Sequence, residues 1–83
     1  MPFNYSAFRE LRKLVGSQER LAEKLGEYAK ALGYSNTDYS QPTISRLEGE
    51  HIKPSLNTLD LVHLVAEEFG CPLEFYKKPE RLD

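Results

Sequence analysis

Apolar residues recur every three or four positions along most of the chain, which is the spacing of helices with one buried face. The first such run begins near Asn4 or Ser6, either of which can cap a helix, and it stops at Gly16. Its apolar positions are Phe8, Leu11, Leu14 and Val15. The pattern predicts a first helix that buries these side chains.

A second helix is predicted to start at Ser17, with Glu19 in the first turn, where the helix dipole favours an acid. Its apolar face comprises Leu21, Ala22, Leu25, Tyr28, Ala29 and Leu32. This face stays in phase across Gly26, although a glycine inside a helix costs about 1 kcal/mol relative to alanine. We therefore expect one continuous helix that ends near Gly33, followed by a turn-rich loop.

A short third helix is predicted over about residues 41–48, with Ser40 or Gln41 as its cap and Gly49 at its end. Pro42 suits its first turn, because the missing N–H is not needed there. Ile44 and Leu47 define its buried side. At 100° per residue, Pro42, Ser45, Arg46 and Gly49 point away from that side, and Gln41 and Thr43 flank it. This outward side carries one long cation and otherwise small or amide side chains.

A fourth helix is predicted over about residues 55–69, ending at Gly70. Its apolar positions are Leu56, Leu59, Val62, Val65, Ala66 and Phe69. Pro72 opens a fifth, short helix that contains Leu73, Phe75 and Tyr76. No segment shows the alternation of a strand, so the pattern predicts an all-α fold of five helices. We expect one domain over residues 1–83, with a core from about 6 to 76 and a frayed tail at 77–83.

Composition agrees with a small intracellular domain. The single cysteine, Cys71, excludes an internal disulfide and fits a reducing compartment. No apolar run approaches the roughly 20 residues that span a bilayer, and the first residues lack the pattern of a signal peptide. We therefore expect a cytoplasmic protein without membrane contact.

The charges are distributed unevenly along the chain. The net charge is −2, which gives no general attraction to nucleic acid. Residues 1–46 nevertheless hold seven Lys and Arg against five Asp and Glu, whereas residues 47–83 hold four against eight. A locally positive face is therefore compatible with an acidic chain.

Three segments together resemble the lambda-repressor-like (Cro/XRE-type) helix-turn-helix domain of bacterial and phage regulators. They are SQERLAEKLG, PTISRLEGE and SLNTLDLVHLVAEEFGCPLEFY, with a Lys-Pro pair before the third. The resemblance covers about residues 6–76. It implies a sequence-specific regulator of transcription, a repressor, that binds double-stranded DNA as a homodimer. No cofactor and no enzymatic activity are implied.

The resemblance also assigns roles to individual residues. The third helix, about 41–48, would lie in the major groove. The base-contacting residues would be Gln41, Thr43, Ser45 and Arg46. Gln18 and Lys53 would contact phosphates. Arg12 and Glu48 would form a structural ion pair between the first and third helices. The candidates for the dimer contact are Phe69, Phe75 and Tyr76.

Two features depart from the family pattern. About a dozen extra residues separate Gly26 from Thr43, which lengthens the second helix and the loop after it. The order Glu48-Gly49-Glu50-His51 also differs from the usual Glu-x-Gly-basic sequence, so an acid stands near the expected phosphates.

Other interpretations of the same residues remain open. Arg46 and Lys53 could be solvated surface charges, and Gln18 and Gln41 could serve only as helix-end residues. Tyr34 and Tyr39 could pack the long loop against the core or stack on a partner.

Whole-protein alternatives follow from the same observations. The chain could be a helical protein-interaction module, or an antitoxin-type regulator that binds a protein partner through residues 27–40. The spacing of His51, His63 and Cys71 matches no compact zinc motif, so we expect no metal site.

Overall fold

The computed structural model describes residues 3–71, which form four α-helices. They are α1 (Tyr5–Val15), α2 (Gln18–Ala31), α3 (Gln41–Glu48) and α4 (Leu56–Glu68). Because these residues contain no β-strand, the all-α prediction is confirmed. The predicted fifth helix and the tail 77–83 lie outside the described residues, so the count of five stays a prediction.

Capping residues explain where three of the helices begin. The side chains of Asn4, Ser17 and Ser55 accept hydrogen bonds from the backbone N–H three residues later, at 3.0, 3.1 and 3.2 Å. Each bond satisfies one of the N–H groups that the first helical turn leaves without a partner. In α3 the Ser40 side chain makes no such bond, and Pro42 lies in the first turn.

The central element is α2, which packs against α1, α3 and α4. It runs without a break through Gly26, as the sequence predicts. The core lies where the four helices meet. Its largest fully buried side chains are Phe8, Leu11, Leu21, Leu25, Ile44, Leu47, Leu61, Val62 and Val65. Because every helix contributes to this one core, its packing fixes the orientation of the short α3.

Three leucines that the periodicity places on buried faces are exposed. Leu14, Leu32 and Leu56 have exposed fractions of 57%, 50% and 79%. Leu32 is the C-cap of α2 and Leu56 is the first residue of α4. Both leucines keep the helical spacing, but at these helix ends none of the other described helices covers them. Leu14 lies about 100° from Val15 around α1, at the edge of the buried stripe.

The buried face of α4 includes two residues outside the predicted set, Leu61 and Thr58. Thr58 is 7% exposed, and its hydroxyl oxygen lies 3.0 Å from both the Tyr39 and the Ser55 hydroxyl oxygens. A buried hydroxyl needs such partners, since its burial without a hydrogen bond is costly. Tyr39 thereby joins the α2–α3 loop, residues 32–40, to α4.

The α2–α3 loop lies against α2. A Cβ atom at Gly26 would stand 3.3 Å from the Thr37 carbonyl oxygen, so the missing side chain provides the space for this approach. Tyr34 and Tyr39 are half-buried and pack against the core. The packing interpretation of these two tyrosines is thus the one that the structure favours.

A polar cluster joins α2 to α4 on the surface. The Tyr28 hydroxyl donates to Glu68 Oε1 at 2.6 Å, and Lys24 Nζ lies 2.9 Å from Glu68 Oε2. The hydrogen bond to Glu68 raises the pKa of the Tyr28 hydroxyl. The hydrogen bonds from Tyr28 and then Lys24 lower the pKa of the Glu68 carboxyl.

Within residues 3–71, no helix combines the length and the apolar character that crossing a membrane requires.

Candidate nucleic-acid interface

The side of α3 that faces away from the core is exposed along its length. Gln41, Pro42, Ser45 and Arg46 are exposed, and we call them the outer face of α3. Thr43, on the flank, is half-buried. Ile44 and Leu47 on the opposite side are 0% and 2% exposed. The helix therefore presents small and amide side chains plus one arginine to its surroundings.

The start of α2 lies beside the start of α3. The Gln41 side-chain amide donates to the side-chain oxygen of Gln18, the first residue of α2. Next to this pair an open cleft of about 460 Å³ separates the ends of three helices. Its lining comprises Arg12, Gly16, Ser17, Gln18, Glu19 and Gln41. The two glutamines that the resemblance assigns to bases and phosphates thus lie in contact with each other and line this cleft.

The two residues that the resemblance pairs, Arg12 and Glu48, also lie in contact. Arg12 Nε donates to Glu48 Oε1 at 2.7 Å, and their side chains are 28% and 11% exposed. A charge-assisted hydrogen bond of this length, partly shielded from water, stabilises more than an exposed pair does. It connects α1 to the last residue of α3 and places the positive charge of Arg12 beside the Glu48 carboxylate.

Two residues of α1 that the sequence interpretation did not single out hold the chain just after α3. Arg9 Nη1 donates to the Glu48 carbonyl oxygen at 2.8 Å and lies 3.9 Å from Glu50 Oε2. The Tyr5 hydroxyl donates to the Ile52 carbonyl oxygen at 3.2 Å. Tyr5, Arg9 and Arg12 are spaced four and three residues apart, which places them on one face of a helix. That spacing of polar side chains was a signal available in the sequence.

The end of α3 has the backbone pattern of a Schellman motif. The Glu50 N–H donates to the Leu47 carbonyl at 3.2 Å, and the His51 N–H donates to the Arg46 carbonyl at 3.0 Å. The residue in the left-handed conformation is Glu50, with φ at 61°. Glycines take this position after α2 and α4, where Gly33 and Gly70 have φ values of 75° and 64°.

Gly49 directly precedes Glu50, and the His51 side chain lies against it. A Cβ atom there would stand 2.8 Å from the His51 imidazole. The order Gly49-Glu50-His51 therefore places a small residue beneath the imidazole and a glutamate in the left-handed conformation.

Folding stability does not explain why residue 50 is a glutamate. A left-handed backbone costs a residue other than glycine roughly 1–2 kcal/mol. The ion pair with Arg9 is long, and both side chains are largely exposed, so it contributes only about 0.2–1 kcal/mol. The glutamate is thus a net cost to stability.

Half of the lysine and arginine side chains within residues 3–71 form ion pairs. Arg9, Arg12, Lys13 and Lys24 each lie within 4.0 Å of a carboxylate. Among residues 3–71, the cations without such a partner are Arg20, Lys30, Arg46 and Lys53. All four are exposed, and two of them, Arg46 and Lys53, lie on α3 and on the loop that follows it, residues 49–55. Half of the lysines and arginines of residues 3–71 that lack an ion-pair partner therefore lie on α3 or just after it.

The dimer candidates are only partly within the described residues. Phe69 is half-buried against the core, and Lys24 Nζ lies 5.9 Å from its ring centroid. Phe75 and Tyr76 lie outside the described residues. Cys71 is buried in the core cluster. Among the residues that the structure describes, no three His, Cys, Asp or Glu side chains come together as a metal site.

No protein-family model matches the chain, and comparisons with curated proteins and with solved structures found no match either. The helix-turn-helix assignment therefore stays a prediction from the sequence motifs.

Proposed function

We propose that this protein is a sequence-specific DNA-binding regulator of transcription, a repressor that reads the major groove with α3. The observation that supports this most is the outer face of α3. This face is exposed and has mostly small side chains. Its Arg46 has no ion-pair partner among the described residues. The face begins beside Gln18, at the start of α2. A helix 10–12 Å across fits a groove about 12 Å wide.

The proposed contacts follow from this placement. Arg46 would bind guanine O6 and N7, and Gln41 would bind adenine N6 and N7, with Thr43 and Ser45 as further base contacts. Gln18 and Lys53 would contact phosphates and thereby set the position of α3 along the duplex. The N–H groups at the start of α2 would add to the phosphate contact.

Binding by one copy would be weak, because few cations face the proposed DNA. A homodimer that reads two half-sites about one helical turn apart would provide the affinity that repression by occupancy requires. Phe69, Phe75 and Tyr76 are the proposed contact residues between the two copies.

Selection of bound duplexes from random DNA tests this function directly. We expect an enriched site with two related halves. Arg46→Ala should then lose about 1–3 kcal/mol of discrimination at one base pair of that site and leave the melting temperature unchanged. Lys53→Ala should weaken binding to all sequences alike and reduce the dependence on salt.

Lys30→Ala is the matched control. The substitution removes one exposed positive charge that has no ion-pair partner within residues 3–71, and Lys30 lies about 18 Å along α2 from Gln18. We expect no change in base preference and little change in affinity. If Arg46→Ala and Lys30→Ala behave identically on the best site, α3 does not read DNA in this way.

A protein partner is the second candidate, and the exposed leucines favour it. Leu32 begins the α2–α3 loop, inside the segment 27–40 that the family pattern lacks, and half of its surface is exposed. As an interaction module or antitoxin-type regulator, the domain would co-purify with a protein irrespective of salt. Retention on a DNA column that falls steeply with salt would instead favour the regulator.

A further inference from the structure

The loop after α3 carries Lys53, and a side chain of α1 holds this loop from outside. The Tyr5 hydroxyl donates to the Ile52 carbonyl oxygen across 47 residues of sequence. We propose that Tyr5 is a positioning residue of the DNA-binding surface, which acts by fixing the peptide group that precedes Lys53. This inference rests on the proposed function.

The first step is the geometry of the peptide. The Ile52 carbonyl carbon is bonded to the Lys53 nitrogen, and the peptide unit is planar. A hydrogen bond to that oxygen therefore restricts rotation of the whole unit, which includes the Lys53 Cα atom. The remaining backbone freedom of Lys53 is restricted by Pro54, which follows it. Lys53 is exposed and has no ion-pair partner among the described residues, so nothing else there fixes its side chain.

The second step is the rigidity of the donor. The Tyr5 ring meets the Phe3 ring edge to face, with the centroids 5.0 Å apart, and Phe3 in turn lies 5.7 Å from the fully buried ring of Phe8. Edge-to-face contacts of this kind favour one ring orientation. The hydroxyl is thus anchored to the core through two aromatic contacts.

The third step is the absence of a competing role. The bond between Tyr5 and Ile52 is accessible to water, so its loss would be compensated by solvent and would cost the fold little. Arg9, one turn further along α1, fixes Glu48 and approaches Glu50 at the near end of the same loop. Tyr5 instead binds the peptide group that adjoins Lys53, so its effect should appear in phosphate binding rather than in folding.

Tyr5→Phe tests the proposal, because it removes the hydroxyl and keeps the ring. The probe is a duplex carrying the selected site, with a scrambled duplex beside it, at about 50 mM salt. We expect the melting temperature to be unchanged, affinity for both duplexes to fall about threefold, and the base preference to stay the same. The amide resonance of Lys53 should shift.

A double-mutant cycle with Lys53→Ala separates positioning from a general effect. If Tyr5 acts through Lys53, Tyr5→Phe should have no further effect on affinity in the Lys53→Ala background. Tyr34→Phe is the matched control, because the Tyr34 hydroxyl has no described partner, and we expect it to leave affinity unchanged.

The two proposals fail in different ways. Wild-type binding with additive effects of Tyr5→Phe and Lys53→Ala, or with no effect of Tyr5→Phe at all, would overturn the positioning role alone. A wild-type protein that binds neither duplex would overturn the DNA-binding function and the positioning role with it.

Discussion

At the scale of single residues, Glu50 stands out because it has the left-handed backbone conformation that favours glycine. The two other Schellman motifs, after α2 and α4, place glycine where α3 places Glu50. Backbone strain at a surface position persists when the residue contributes something other than stability. Its carboxylate stands four residues after Arg46 and three before Lys53, where it would oppose the approach of phosphates in the proposed complex.

Glu50→Gly should therefore stabilise the domain and, if α3 binds DNA as we propose, strengthen that binding as well. Relief of the left-handed strain exceeds the loss of the long contact to Arg9, so the free energy of unfolding should rise by about 1 kcal/mol. Urea denaturation measures this. Glu50→Gln keeps the strain and removes the charge, so it should raise affinity without raising stability. Equal stability of the Gly and Gln variants would contradict this account of the backbone.

Residue-level burial was only partly predictable from the sequence. Periodicity identifies Phe8, Leu11 and Ile44 as core, because helical spacing repeats the same angle. It cannot tell where the covering helix ends, which is why Leu56 and Leu32 were expected inside and are exposed. Thr58 stands in helical phase with Leu61, Val62 and Val65, so its place on the buried face follows from the spacing. A search for apolar residues passes over it because it is polar, and its partner, the Tyr39 hydroxyl, comes from a distant loop.

At the scale of elements, the long α2 and the loop after it behave as one unit. The apolar stripe through Gly26 made the continuous helix predictable. The course of the α2–α3 loop was not, because it depends on the approach of the Thr37 carbonyl to Gly26, a contact between distant positions.

Gly26→Val should separate this loop from α2. The new side chain would collide with the Thr37 carbonyl, which as a backbone atom yields poorly, so the free energy of unfolding should fall by about 1–3 kcal/mol. Hydrogen exchange should accelerate at residues 34–39. Glu23→Val is the control, since it places valine at an exposed position of α2 and measures helix propensity alone, about 0.5 kcal/mol. Valine favours a helix more than glycine does, so Gly26→Val without a fall in stability would exclude a steric role for Gly26.

Between α1 and α3 too, the helix ends were predictable from nearby residues, whereas most contacts between the helices were not. Helix ends at Ser17, Gly16 and Gly49 follow from local chemistry and could be read from the sequence. The contact of Arg12 with Glu48 was implied by the family resemblance. The contacts of Tyr5 and Arg9 with the loop after α3 depend on how the two helices are docked, so they required the structure.

At the scale of the whole molecule, stability depends on a few contacts around α2. A domain of this length is expected to have a free energy of unfolding of about 4–12 kcal/mol. The surface cluster of Lys24, Tyr28 and Glu68 joins α2 to α4 and makes part of that stability depend on pH.

The contribution of this cluster should be greatest between its two pKa limits. The pKa of Glu68 is lowered, so its contribution is present above the ordinary value of 4.5 and is lost as the pH falls. The pKa of Tyr28 is raised, so its contribution is present below 10.0 and is lost as the pH rises further. Tyr28→Phe should reduce stability across the middle range and converge with the wild type at both extremes.

Chemical denaturation at a series of pH values measures this difference, and Tyr34→Phe serves as its control. A constant difference between Tyr28→Phe and the wild type from acid to alkali would show that the hydrogen bond to Glu68 is not its source.

The brevity of α3 has a consequence for any attempt to isolate its activity. Eight residues make about two turns, and helices shorter than roughly 12 residues are marginal in water. A synthetic peptide of this segment would be a random coil, and the side-chain arrangement on its outer face would not exist. Whatever α3 recognises, it recognises as a property of the intact domain, and a loss-of-function screen will recover core substitutions alongside surface ones.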